Sequence, residues 1–293
     1  MDTAGTLTDF LRSARARLAP GDVGLPLNRA VRRVPGLRRD EVAGIAGVSV
    51  DYYARMEQGR VTQASDAVIN SLSVALRMNE TERTYLFTLL SASTGGRLDV
   101  RGRTSTVRAP LQGIMDSLTG SPAFVLGPGM QVLAMNSLAV ALMADFGART
   151  GHRRSLAHWT FLDPSARSYY QDWDLIAADV AAILRRDTLR HPHDPAMTML
   201  IKELMEQSPE FEAMWAEHRV YECTFGIKRL VHPVVGRIDV DFENFAVAGE
   251  PDQELFVYSA PVGSPSADAL SILAAWNVQQ TRPARSPETT VAG

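Results

Sequence analysis

The stretch Leu37–Gly59, LRRDEVAGIAGVSVDYYARMEQG, decides how the first part of this chain folds. It reads as two short helices packed at a steep angle across a tight turn. Ala43 falls where the helices cross, and only a small side chain lets them close. Gly47 falls in the turn, where a positive φ is cheap only for glycine. Val42, Ala46, Val48, Tyr53 and Met56 supply a small apolar core. Ser49 is a natural N-cap for the second helix. That helix turns Val50, Asp51, Tyr52 and Arg55 outward, on the face that a helix-turn-helix lays in a DNA major groove.

An ordinary helical hairpin has similar spacing, so the flanking segments matter. Leu7, Phe10, Leu11, Ala14 and Leu18 recur at helical intervals. Ser65 caps a helix with Val68, Ile69, Leu72 and Leu76 on one side, and Asn79 opens another with Tyr85, Leu86, Leu89 and Leu90 inward. About five helices thus occupy roughly ninety residues, with the paired helices second and third. This arrangement resembles the lambda-repressor-like domain of the XRE transcription-factor family. The resemblance implies a double-stranded DNA operator as partner.

Between the first helix and the motif lies PGDVGLPLNRAVRRVPGLRR, a run of Gly, Pro and Arg that reads as an exposed basic loop. Arg32, Arg33, Arg38 and Arg39 form the densest positive cluster and are candidates for pairing with phosphates. Arg38 and Arg39 also open the first motif helix, whose free N–H groups favour a phosphate. Arg55 can donate two bonds to a guanine edge, and Tyr52 can reach a thymine methyl or a phosphate. Ser49, Val50 and Asp51 stand at the helix entrance, where Asp51 could instead serve the helix dipole. Arg60 and Gln63 are further phosphate candidates, whereas Glu57 reads as structural.

Charge supports this division. The 293-residue chain carries a net charge of only −3, yet residues 1–108 sum to +5 and residues 109–293 to −8. A basic first half suits phosphate contacts, and DNA should repel the acidic second half. Arg far outnumbers Lys, and Cys223 is the only cysteine, so neither a disulfide within the chain nor a cysteine zinc cluster is available. The N-terminus lacks a signal pattern, and no apolar run approaches the ~20 residues that cross a bilayer. A cytoplasmic protein without membrane contact is expected.

The first domain is expected over residues 5–91. Residues 92–109 read as a polar linker, and a second domain is expected over 110–278. It opens with a helix, Leu111–Leu118, and then PAFVLGPGMQVLAMN, two apolar runs around Gly-Pro-Gly, which predicts a β-hairpin. Asn136 then caps an Ala/Leu/Met helix, and this order resembles the opening of a PAS domain. Leu175–Leu184, Met197–Met205 and Phe211–Glu217 have helical periodicity. Tyr221–Leu230, Pro233–Phe242 and Leu255–Ser259 read as an antiparallel meander, and Ser266 as the cap of a last helix ending near Trp276. Residues 279–293 read as a disordered tail. The fold expected is an all-α lambda-repressor-like helix-turn-helix domain followed by an α+β PAS-like domain with an antiparallel sheet.

Over roughly residues 5–276 the chain resembles the MmyB-like transcription regulators. The long RRVPGLRRDEVAGIAGVSVDYYARMEQGR run carries the likeness, with WTFLDPSARSYYQDW, FEAMWAEHRV, KRLVHPVVG and YSAPVGSPSADAL. This resemblance implies a small apolar ligand in the second domain, with a fatty acid the leading type. A Met- and aromatic-rich second half suits an adaptable pocket, although the same residues suit a plain core. Candidate contacts are Phe124, Met135, Trp159, Phe161, Arg167, Tyr170, Trp173, Trp215, His218 and His232. Of these, Arg167, Tyr170, His218 and His232, with Tyr169, are polar candidates for a carboxylate end. Arg167 and Tyr170 fit a helix surface equally well.

HExxH, GxSxG and P-loop motifs are lacking, so no catalytic role, cofactor or metal is expected. His191-Pro-His193-Asp194 has metal-like residue types but reads as a turn between helices. A homodimer is expected, because one short helix reads few base pairs and two half-sites raise affinity. Two alternatives stay open. One is a constitutive regulator whose second domain only dimerises or recruits a partner. The other is an enzyme fused to a DNA-binding module.

Overall fold

The computed structural model describes residues 3–26, 36–61, 63–91 and 106–281. Helix α1, Thr3–Ala16, buries Leu7, Phe10, Leu11 and Ala14 along one stripe. The motif helices follow as α2, Arg39–Ala46, and α3, Val50–Glu57, and then come α4, Asp66–Ala75, and α5, Glu80–Ser91. Their caps follow from short polar side chains. Ser49 Oγ accepts the Tyr52 N–H at 3.1 Å, and Ser65 Oγ accepts that of Val68 at 3.4 Å. Asn79 and Glu82 exchange backbone-to-side-chain bonds of 2.9 and 3.1 Å, a reciprocal cap on α5.

Ala43 is fully buried where α2 meets α3, and Gly47 ends α2 with φ +68°. Val42, Ala46, Tyr53 and Met56 are buried, and Val48 packs against them partly exposed. A second glycine is as constrained. Gly36 has φ +72°, and a Cβ there would lie 2.4 Å from the Arg15 carbonyl oxygen. The chain entering the motif therefore lies directly on the end of α1.

Helix α6, Ala109–Ser117, begins the second domain. Strands β1, Ala123–Gly127, and β2, Gln131–Met135, form the hairpin. Five helices come next: α7, Ser137–Leu142; α8, Leu156–Leu162; α9, Pro164–Tyr169; α10, Trp173–Arg190; and α11, Pro195–Gln207. After α12, Pro209–Ala216, come β3, Phe225–His232, β4, Gly236–Ala246, and β5, Glu254–Ser259, and α13, Pro265–Thr281, follows. The strands make one sheet in the order β2-β1-β5-β4-β3, antiparallel at every pairing. Alternation divides its faces. Phe124, Leu230, Ile238, Val240, Phe242, Phe256 and Tyr258 face the main core. Val125, Leu133, Leu255 and Val257 face the other way and pack with Met115 and Leu111 of α6.

Asn136 does more than cap α7. Its Oδ1 accepts the N–H groups of Ala123 and Ala139, at 3.0 and 2.9 Å. Its Nδ2 lies 3.1, 3.2 and 2.8 Å from the carbonyls of Met115, Leu118 and Ser121. One buried amide thus ties α6, β1 and α7 together, with every polar atom satisfied. Several boundaries differ from the sequence expectation, β4 among them, which runs Gly236–Ala246 instead of Pro233–Phe242. Helix α13 is capped by Ser264, whose Oγ accepts the Ala267 N–H, while Ser266 Oγ takes the Asp239 N–H and ties the helix to β4. The helix also runs to Thr281, because no helix breaker intervenes after Trp276. Strand β3 starts at Phe225, four residues after Tyr221. The expected linker falls on residues that are largely outside those described.

Candidate DNA-binding face and ligand cavity

Helix α3 divides into two faces. Tyr53, Met56 and Glu57 are buried, whereas Ser49, Val50, Asp51 and Arg55 are open to solvent and Tyr52 is half-buried. Val50 keeps 49% of its surface, so its side chain is available to a groove, as several other apolar side chains of this chain are open to solvent. Arg38, Arg60 and Gln63 are exposed beside the motif. Arg32 and Arg33 lie outside the described residues.

Arg39 is committed within the fold. Its guanidinium pairs with Glu57, whose carboxylate is wholly buried, and Arg15 Nε reaches the same carboxylate at 2.8 Å. Arg15 Nη1 also donates to the Leu37 carbonyl at 2.6 Å. Glu57 thereby ties α1, α2 and α3 into one unit, and burial with the Glu57 charge holds the Tyr53 hydroxyl well above its ordinary range. The start of α2 is also altered from the sequence reading. The Arg38 N–H donates to Glu41 Oε2 at 2.7 Å, and Asp40 and Glu41 place negative charge in the first turn. A phosphate there would meet the Arg38 side chain rather than a bare helix end.

In the second domain a cavity lies between the sheet and α10. Phe124, Leu126, Phe242, Phe256 and Tyr258 form the sheet wall, and Ile176, Val180 and Ile183 form the helix wall. The cavity is narrow, about 40 Å³, room for a few waters. Three polar or reactive groups join the lining: Asp179 of α10, Lys228 of β3 and Cys223. Lys228 is one of two lysines in a chain with 28 arginines, and its Nζ lies 4.8 Å from the centre of the Phe242 ring. Burial raises the Asp179 carboxyl, and Lys228 and Arg219 pull it back. Burial pushes the Cys223 thiol up to about 11. It also raises the Tyr170 and Tyr258 hydroxyls on the cavity wall, which keeps both as proton donors. A polar recess adjoins the cavity and shares Leu126, Met130, Ile183, Cys223 and Phe256 with it. Arg186, Asp187 and Glu254 are in its wall.

Of the ten residues the sequence suggested for a ligand, this cavity brings together Phe124 and Tyr170. Trp159 and Trp173 are buried among other aromatic rings, Phe161 packs on Trp173 and Phe211, and Met135 packs beside the core. Trp215 stacks on Phe211. Arg167 pairs with Glu210 at 2.8 Å and lies over the Trp173 ring. Both His232 nitrogens are used locally. Nε2 lies 3.0 Å from the Ala141 carbonyl and Nδ1 accepts the Val234 N–H, so burial keeps the ring neutral. His218 lies 3.9 Å from Asp9 of α1, away from the cavity. Sequence reasoning missed Lys228, Asp179 and Arg15. Only Lys228 had a usable signal, since it alternates with Leu230 toward the core side of a strand and lysine is so scarce here. His191 lies 3.2 Å from Asp252, and Asp194 caps α11; among the described residues no group of three metal-ligating side chains forms. No helix among them is long and apolar enough to cross a membrane.

Comparison with known proteins agrees with both halves. Residues 6–86 match a helix-turn-helix domain. No curated protein matches the chain. Residues 107–273, more than half of the chain and including the whole cavity, match the MmyB-like transcription regulator ligand binding domain. The chain therefore belongs to the MmyB-like transcription regulator family, a DNA-binding helix-turn-helix joined to that family's ligand-binding domain.

Proposed function

We propose that this protein is a cytoplasmic, homodimeric regulator that reads a specific operator and responds to a small apolar acid, with a fatty acid the leading class. In this reading residues 5–91 bind DNA, 92–109 link, and 110–278 hold the ligand. The observation that carries the ligand class is Lys228, an ammonium at the wall of a mainly apolar cavity in which Asp179 is the one acid. A carboxylate pairs with it, Tyr170 and Tyr258 offer hydroxyl donors, and an acyl chain lies along Phe124, Leu126, Ile176 and Val180. The narrow cavity must widen on entry, so the ligand selects a more open arrangement of its walls. At the other end Arg55 reads a base edge, with Ser49, Val50, Asp51 and Tyr52 beside it. Arg32, Arg33, Arg38, Arg60 and Gln63 track phosphates, while Arg39 stays on Glu57 and holds the motif together. Two such faces on one dimer match half-sites one helical turn apart.

Titration with palmitate, read by native mass spectrometry, tests the ligand half. Lys228→Met is expected to weaken binding roughly tenfold to a hundredfold. Equal affinity in both proteins would refute the carboxylate contact. Conversion of the palmitate would turn the reading toward an enzyme; recovery of intact acid supports a sensor. The pinched cavity favours one competitor, a constitutive regulator whose own side chains fill this space. Failure of palmitate to bind, with unchanged operator affinity, decides for it. On selected operator DNA, Arg55→Ala is expected to cost about 1–3 kcal/mol at one base pair. Equal loss on random DNA would remove Arg55 from base reading.

A further inference from the structure

Helix α10 has two working faces. Ile176, Asp179, Val180 and Ile183 recur at three- and four-residue intervals and line the cavity. Farther along the helix, Arg185 and Leu189 face the DNA-binding domain. Leu189 packs with the core of the first domain, as does Val220 from the segment after α12. Arg185 is 3% exposed; its guanidinium stacks 4.1 Å from the Trp215 ring centre and donates to the Trp215 carbonyl. Tyr85 of α5 and Asp9 of α1 face that guanidinium from the other domain. Ser13 of α1 donates to the Glu217 carbonyl, and His218, held at φ +53°, sets its ring toward Asp9.

This joint leaves the DNA face uncovered. It uses α1 and α5, while Val50, Asp51 and Arg55 of α3 stay exposed. It therefore fixes where the recognition helix points and does not block it. Nor can α10 yield on one side alone. Residues 180–188 are all buried, and a close-packed helix transmits displacement instead of absorbing it. We infer that α10 is the coupling element: a change in the packing of the cavity shifts this helix and repositions the DNA-binding domain through Arg185, Leu189 and the Glu217–Val220 segment. The biological meaning rests on the cavity being the ligand site, but the mechanical claim does not.

A cavity-filling substitution separates the two. Amide hydrogen exchange is compared in the full-length parent, Val180→Phe, Arg185→Ala and the double variant. Val180→Phe is expected to change exchange in α1 and α5 at least threefold while the edge strand β2, and α6 on the far face of the sheet, stay as in the parent. Adding Arg185→Ala is expected to cut that response to less than half. Unchanged α1 and α5, with altered α10, would overturn the inference. So would a uniform rise that includes β2, which reports lost stability, or a response indifferent to Arg185. If Val180→Phe fails to fold, Ile183→Ala enlarges the same wall and is judged by the same criteria. Failure of palmitate to bind would leave this outcome intact and refute only the ligand reading.

Discussion

Glu57 in the first domain and Arg186 in the second are both buried charges held by several partners of opposite sign, yet they are held differently. Glu57 is wholly buried, and two guanidiniums from α1 and α2 close on it. Arg186 keeps 9% of its side-chain surface and meets Asp187, Glu222 and Glu254 at 3.1, 3.4 and 3.4 Å. Of these acids Glu222 is 41% exposed and Glu254 is 26% exposed. Asp187 in turn accepts the Gly129 N–H at the tip of the β1–β2 hairpin. The first node is a clamp across three helices whose central acid is wholly buried, with Arg39 its one open arm. The second is an open lattice in the wall of a recess beside the cavity. The first form holds three helices around one buried acid, and the second leaves acids where water can replace a partner.

Substitutions can break that contrast. Glu57→Ala leaves Arg15 facing an empty, water-poor site while the half-exposed Arg39 can turn to water, and is expected to lower the stability of the first domain by about 3 kcal/mol. Denaturant unfolding checks it, and a loss below about 1 kcal/mol would mean that the node is a bystander. Cys223 sharpens the second half. With its thiol pushed up to about 11 by burial, alkylation at pH 8 is expected to run roughly a hundredfold slower than for a free thiol and to accelerate up to that pH. Because the folded state holds this proton longer, the thiol's contribution to stability is present below its ordinary value near 8.5 and is lost as pH climbs toward 11. A fast reaction at pH 7 would show that the wall opens readily without ligand. Arg186→Met is expected to cost on the order of 2 kcal/mol, less than Glu57→Ala, because Glu222 and Glu254 can turn to water. If it costs more, the two nodes are alike. Smallest should be Arg229→Ala, which breaks the exposed pair with Asp172 and is expected to change stability by less than about 1 kcal/mol.

The two domains also differ in how much of their structure local sequence carries. The helix-turn-helix is local. Ala43, Gly47, Ser49 and Tyr53 act on neighbours within a few positions, so their spacing carries the structure. Even there, Arg15 went unread, because it meets Glu57 across 42 residues. The cavity is the opposite case. Phe124 and Tyr258 face each other from strands far apart in sequence, and α10 supplies the opposing wall. No periodicity within one segment reports such a meeting. Polar residues misled for a related reason. Arg167 and His232 looked available because their partners, Glu210 and the Ala141 carbonyl, are supplied only by the fold.

All four tryptophans, Trp159, Trp173, Trp215 and Trp276, belong to the second domain. Indole emission therefore reports the second domain and its contact with the first, and circular dichroism sees both. A melt followed by the two signals separates the domains without any label. Trp215 adds a finer signal. Its ring lies under the Arg185 guanidinium that faces Tyr85, so the colour of its light registers whether the two halves of the molecule are still pressed together.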